Sequence, residues 1–251
     1  MNQDRSFDIY PFGLSLSKPL AAQETLRQAQ GERSGMHRFL AGLAVLVLTA
    51  CASGPKPADW QLNAKGAIDR AVAAYLEGNN RVEAAEMAKA RREISSTGRI
   101  DLMARAELLA CASRVASLVF EPCAGFEKLR QDAPAAENAY ADYLNGKLQP
   151  QNAGLLPKNQ QISAAADINS ALAAITTIAD PLAKLVASGV ALQAGRASPA
   201  VVQAAVDAAS SQGWRRPLLA WLGVQLALAD KAGDSVESAR LRRRIALAVL
   251  P

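Results

Sequence analysis

The sequence predicts an all-α protein in which antiparallel helical hairpins stack as a short solenoid or bundle. Hydrophobic residues make up 50% of the 251-residue chain but aromatic residues only 5%. Alanine and leucine enter helices at little cost, whereas strands favour branched and aromatic residues. Apolar residues recur every three or four positions, and glycines or X-Pro pairs separate the periodic stretches.

Periodicity predicts four helices in the first half of the folded body. The first carries an apolar residue at every fourth position from Trp60 to Leu76 and ends near Gly78. The second covers 81–96, and the third, which we expect Asp101 to cap, stops before Pro122. A shorter helix follows at 134–144.

The second half begins after residues 147–161, which are polar and contain two prolines, so we expect a loop there. A helix is predicted at 163–178. Asp180 and Ser198 each precede a proline and predict the N-caps of two further helices. Three glycines mark helix ends: Gly195, Gly213 and Gly233. The last helix, 235–250, has an apolar face at Ala239, Ile245, Leu247 and Val249 or Leu250. Sustained alternation is absent from the sequence, so we predict no strand.

The most apolar stretch of the chain is Phe39–Ala50. A membrane-spanning helix needs about 20 residues, so this run has the length of a signal-peptide hydrophobic region instead. Met36 and Arg38 precede it, and Leu48-Thr49-Ala50-Cys51 ends it. A buried N-terminal helix with an incidental cysteine is the alternative.

Residues 36–51 resemble the signal peptide and lipobox of bacterial lipoproteins. The resemblance implies that Cys51 receives a diacylglyceryl group, that the preceding peptide is removed, and that the new N-terminus is acylated with a fatty acid such as palmitate. Ala52, in place of aspartate, implies export to the outer membrane rather than retention in the inner membrane. The protein would then face the periplasm and contact the membrane through its lipid.

The sequence thus divides into six parts. Residues 1–35 lack helical or strand periodicity and look like translated intergenic sequence, so we expect Met36 to be the true start, with a long leader as the alternative. The other parts are the signal peptide 36–50, a lipidated tether 51–58, an N-terminal helical part 59–146, the loop 147–161, and a C-terminal helical part 162–251.

Two helix–turn–helix stretches, 74–95 and 227–248, resemble tetratricopeptide-type turns. Tyr75, Leu76, Gly78 and Ala90 match that family's pattern in the first stretch, and Gly233 and Ala239 repeat it in the second. A regular 34-residue period is missing from the sequence. The resemblance implies a helical-hairpin fold and no particular ligand.

Composition excludes several classes of function. His37 is the only histidine, and it precedes Cys51, so cleavage there would leave no imidazole for Ser-His-Asp or Cys-His catalysis or for zinc. The net charge of +5 is too small and too dispersed to indicate nucleic-acid binding. We expect no metal and no cofactor.

Cysteines and tryptophans outside the leader are candidate structural or binding residues. Cys111 and Cys123 would form a disulfide in an oxidising compartment, or else they are two small buried hydrophobes. Trp214 and Trp221 lie seven residues apart and favour core packing, with a peptide-binding groove as the alternative.

A candidate basic patch for lipid headgroups or an acidic partner consists of Arg215, Arg216, Arg240, Arg242, Arg243 and Arg244. A solvated face interspersed with acidic residues is the alternative. Consecutive arginines cannot all lie on one side of a helix.

These observations favour a lipid-anchored envelope protein that acts as a non-catalytic structural or interaction module, with another envelope protein as its partner. The first alternative is a cell-wall-acting enzyme that uses a carboxylate pair, such as Asp101 with Glu107 or Glu83 with Glu86, and the second is a small-ligand binder. Spacing singles out neither pair, and we assign no catalytic residue.

Overall fold

A computed structural model describes residues 57–161, 163–164 and 168–249. Within these residues all regular secondary structure is helical and no strand is formed, which confirms the all-α fold class. The helices are α1 (Asp59–Glu77), α2 (Asn80–Ser95), α3 (Ile100–Ala116), α4 (Ala124–Glu127), α5 (Ala135–Leu144), a 3₁₀ helix (Pro150–Leu155), α6 (Lys158–Gln161), α7 (Ile168–Thr177), α8 (Pro181–Gln193), α9 (Pro199–Gln212), α10 (Arg215–Ala232) and α11 (Ser235–Val249).

Several predictions concern residues outside the described part of the chain. These are the extension 1–35, the signal peptide 36–50, the lipid acceptor Cys51, most of the tether and Leu250. Among the described residues, no helix combines the length and hydropathy that crossing a bilayer requires.

Helices α3 and α8 form the centre of the fold. Both are buried along most of their length and pack against each other. Their close approach depends on Gly189, because a Cβ atom there would lie 2.5 Å from the carbonyl oxygen of Val115. Around this pair, α3 also packs against α2 and α5, and α8 packs against α7 and α9.

Helices α8 to α11 follow one another as packed neighbours, as expected for stacked hairpins. Their boundaries confirm the predicted caps, because Asp180 accepts a hydrogen bond from the Ala183 amide at 2.6 Å and Ser198 accepts one from the Val201 amide at 3.3 Å. Gly213 and Gly233 end α9 and α10 in the left-handed conformation that glycine adopts readily.

The two helical parts share one compact unit, to which the described residues from Trp60 onward belong. Trp221 of α10 is fully buried and donates from its indole nitrogen to the Ala116 carbonyl at the end of α3, at 3.0 Å. Arg216 donates to the Tyr75 carbonyl at 2.6 Å, and to the side chain of Asn80. The N-terminal end of α10 is therefore held against the α1–α2 turn.

Three local predictions differ from the structure. Arg99, not Asp101, occupies the N-cap position of α3. Asp101 lies in the first turn, where it accepts two hydrogen bonds from Arg99 and benefits from the helix dipole. Residues 147–161 contain the 3₁₀ helix and α6 instead of an unstructured loop. The predicted apolar face of α11 is partly turned to solvent, since Leu247 is 70% exposed.

Candidate binding pocket

An open pocket of about 690 Å³ lies between α2, α3 and the segment that leads into α4. We call it the α2–α4 cleft. Its volume is within the range of small-ligand sites. Its lining combines carboxylates and cations with small or flexible apolar side chains. The charged residues that line it are Glu83, Arg91, Glu107, Arg114, Glu121 and Lys128.

Glu107 forms the most constrained ion pair of the cleft. Its two carboxylate oxygens accept hydrogen bonds from Nε and Nη2 of Arg91 at 2.6 and 3.0 Å. This bidentate geometry is the strong form of the interaction, and the hydrogen bond raises the pKa of the Arg91 guanidinium. Gly125 leaves room for the carboxylate, since a Cβ there would lie 2.0 Å from Oε2 of Glu107.

Arg114 holds the second carboxylate of the cleft. It donates to Oε1 of Glu83 at 2.8 Å and to the Ala110 carbonyl at 2.9 Å. Its guanidinium also lies over the Tyr75 ring, 4.9 Å from the centroid, and Arg216 lies 4.2 Å from that centroid. Burial raises the pKa of Tyr75, and the two arginines oppose that rise.

A disulfide forms part of the wall of the cleft. Cys111 on α3 is bonded to Cys123, and their Cα atoms are 5.5 Å apart. Both residues are buried and both line the cleft. The bond therefore fixes the segment before α4 against α3.

Two charged residues of the cleft remain available to a ligand. Glu121 and Lys128 are exposed, and neither takes part in an ion pair within the described residues. The cleft thus contains two internal ion pairs and one free charge of each sign.

The predicted carboxylate pairs are not the ones that the fold brings together. Glu83 and Glu107, taken from different pairs, line the same cleft. Glu86 binds Arg70 at 2.9 Å, and Asp101 binds Arg99. Each of these four carboxylates is thus engaged by an arginine, and acid–base chemistry by any of them would first have to break an ion pair.

The six predicted basic-patch residues are placed in two regions. Arg215 and Arg216 lie at the α1–α2 turn, where a Cβ at Gly78 would meet the Arg215 guanidinium at 3.3 Å and Arg216 stacks on Tyr75. The other four are on α11, where Arg240 pairs with Glu237 and Arg242 with Asp230. Arg243 is exposed. Among the described residues, no group of three or more histidine, cysteine or acidic side chains is placed to hold a metal ion.

Trp214 and Trp221 lie in the core, with 4% and 0% of their surface exposed. The groove alternative therefore does not apply to them. The cleft contains residues that the sequence analysis named, such as Glu107 and Cys111, together with others that it did not, such as Arg91 and Gly125.

A signal for these residues is present in the sequence. A hairpin that turns at Gly98 aligns positions whose numbers add up to about twice 98, and both Arg91 with Glu107 and Glu83 with Arg114 satisfy this relation. A search for oppositely charged residues at positions symmetric about Gly98 would have identified both ion pairs. Comparison with family models, curated proteins and solved structures found no match to this chain.

Proposed function

We propose that the protein is a lipid-anchored envelope protein, tethered to the periplasmic side of the outer membrane through Cys51. In this proposal the helical body is a non-catalytic module that binds a partner in the envelope. The α2–α4 cleft is its binding site. The strongest support for a non-catalytic binding role is that the cleft is open and polar while both of its inner carboxylates are already bound by arginines.

The location is supported by two independent features. Leu48–Cys51 matches the lipobox pattern, after an apolar run too short to span a bilayer. The Cys111–Cys123 disulfide belongs to the folded body, and such bonds persist in oxidising compartments such as the periplasm. A lipid with two or more acyl chains would hold the body firmly at the membrane.

The non-catalytic role is supported by the ion pairs that the carboxylates of the cleft form. A glycan- or peptide-cleaving site needs a carboxylic acid and a carboxylate free to exchange protons with substrate. In the cleft, Glu107 is bound in bidentate fashion by Arg91, and Glu83 is bound by Arg114. Of the carboxylates that line the cleft, this leaves Glu121 alone outside an ion pair, and one free carboxylate does not supply both the acid and the base that such chemistry needs.

Metabolic labelling with radioactive palmitate tests the anchor. The wild-type protein should carry the label and fractionate with the outer membrane, whereas Cys51→Ala should be unlabelled. Cys111→Ala is the matched control, because it removes a different cysteine and should keep the label. An unlabelled wild-type protein in the soluble fraction would contradict the anchor.

Site-specific photocrosslinking tests the binding role. A photoreactive residue at Ala84, which is exposed and lines the cleft, should give one adduct of defined mass. The same residue at Ala227, which is exposed on α10, should not give that adduct. Identical adducts at both positions would contradict binding through the cleft. Release of soluble cell-wall fragments by the purified protein, lost in Glu107→Gln, would contradict the non-catalytic role.

A further inference from the structure

The free charges of the α2–α4 cleft indicate the chemical class of its ligand. The cleft carries three carboxylates and three cations, and its inner four form two ion pairs. Glu121 and Lys128 remain, one of each sign. A ligand with a single charge would match one of them and leave the other without a partner, whereas a zwitterion would match both.

The apolar lining of the cleft indicates which ligand side chains it suits. Small residues and proline form most of it, and one flexible methionine, which adapts to different shapes, completes it. These residues are Ala84, Met87, Ala110, Pro122 and Ala124. Within the described residues, no aromatic side chain lines the cleft. Small apolar side chains, such as that of alanine, fit this lining.

The segment before α4 offers groups that a peptide backbone can use. Residues 119–123 are neither helix nor strand. In the described part of the chain, the backbone amide of Glu121, which lines the cleft, donates no hydrogen bond. An extended peptide satisfies amides of this kind through its carbonyl groups. A peptide therefore fits this wall better than a zwitterion without a backbone.

We propose that the α2–α4 cleft binds a short peptide of small residues that has both termini free. The terminal ammonium lies at Glu121, the terminal carboxylate at Lys128, and the disulfide keeps the Glu121–Lys128 wall in place. This inference deepens the proposed function and rests on the cleft being the binding site.

Calorimetric titration of the full-length protein in detergent tests the proposal with trialanine as the probe. Three blocked forms complete the set: N-acetyl-trialanine, trialanine amide, and the peptide blocked at both ends. Blocking either terminus should weaken binding about tenfold, the effect of one charge-assisted hydrogen bond. Blocking both should weaken it further.

Two variants assign each terminus to its residue. Glu121→Gln should bind trialanine about tenfold more weakly and lose its sensitivity to acetylation, while it remains sensitive to amidation. Lys128→Met should show the reverse pattern. Glu77→Gln and Lys231→Met change exposed charges away from the cleft and should bind all four peptides like the wild type.

The proposal is overturned if trialanine does not bind, if all four peptides bind equally, or if the two variants respond to the same terminus. These outcomes are distinct from failure of the proposed function. Specific crosslinking at Ala84 without trialanine binding would leave the interaction module in place and remove its peptide ligand. Trialanine binding without palmitate labelling would keep the peptide site and remove the lipid anchor.

Discussion

Arginines around α3 and arginines on α11 make different kinds of ion pair. Three pairs tie α3 to its neighbours: Arg91–Glu107, Glu83–Arg114 and Arg105–Glu137. Their carboxylates are largely buried, with side-chain exposures of 9%, 12% and 2%. On α11, Arg240 pairs with Glu237 within one helix, and the two side chains are 54% and 35% exposed.

The difference shows that a run of charges in sequence is a poor guide to where charge organises the fold. Residues 242–244 are three consecutive arginines, yet the pairs found here, one within α11 and one from Arg242 to Asp230 on α10, are both exposed. Exposed pairs contribute little to stability. Arginines scattered along α2 and α3 join separate helices and shape the α2–α4 cleft. Five changes would break or sharpen this contrast.

Loss of Arg105 should have the largest effect. Arg105→Met would leave Glu137, which is 2% exposed, without its guanidinium partner, and the other carboxylate oxygen already lacks a hydrogen bond in the described residues. Breaking a buried pair from one side costs about 3 kcal/mol. Urea unfolding should show this loss, and Arg105→Lys should recover part of it. A midpoint equal to that of the wild type would contradict the buried role.

Loss of the disulfide should rank second. Cys111 and Cys123 are 12 residues apart, and opening a loop of that size lowers the free energy of unfolding by about 2–3 kcal/mol. The double variant Cys111→Ser/Cys123→Ser should unfold at lower urea than the wild type. A reducing agent should shift the wild type toward the variant and leave the variant unchanged. An unchanged midpoint in both experiments would contradict the bond.

Adding a methyl group at Gly125 should cause the third-largest loss of stability. Gly125→Ala places a Cβ 2.0 Å from Oε2 of Glu107, so the Arg91–Glu107 pair must shift, at a cost of about 1–3 kcal/mol. Gly223→Ala is the matched control on α10, where a Cβ meets nothing within 4 Å. It should instead stabilise the helix by about 0.5–1 kcal/mol. Thermal unfolding of the two variants should therefore move in opposite directions.

These residues also show which features of the structure can be predicted from the sequence. Periodicity, X-Pro pairs and glycines predicted most helices and the caps at Asp180 and Ser198, because those features depend on neighbours along the chain. The cap at Asp101 was wrong, since a two-residue bridge to Arg99 competed for its carboxylate. The cleft depends on contacts across the α2–α3 hairpin, and only charge complementarity about its turn carries that information in the sequence.

Two helix caps give a contrast that depends on pH. Asp180 caps α8, and burial raises its pKa from 3.8 to about 6. The folded protein thus holds the proton of the Asp180 carboxyl more tightly than the unfolded chain does. The stability that this protonation contributes is fully present below pH 4 and is lost as the pH rises through about 6. Asp180→Asn keeps the capping oxygen without the charge, so the free energy of unfolding of this variant should fall less between pH 4 and pH 7 than that of the wild type.

Asp234 provides the control for that experiment, because it caps α11 from an exposed position and accepts from the Glu237 amide at 2.9 Å. Asp234→Asn measures what the change from aspartate to asparagine does at a helix cap that is not buried. Urea unfolding at several pH values between 4 and 7 measures both variants. If the stability of the Asp180→Asn variant fell with pH as steeply as that of the wild type, the buried cap would not be the group that titrates.

The smallest effect is expected on α11. Arg240→Met and Arg242→Met each remove an exposed pair, and each should lower the free energy of unfolding less than any change described above, because solvent already screens these charges. Salt near 1 M, where the Debye length is about 3 Å, should erase even that difference. The same salt should reduce the Arg105→Met effect far less, because burial excludes the screening ions from Glu137. Equal salt sensitivity at the two sites would mean that the pairs around α3 are no more shielded than those on α11, and the contrast between the two regions would fail.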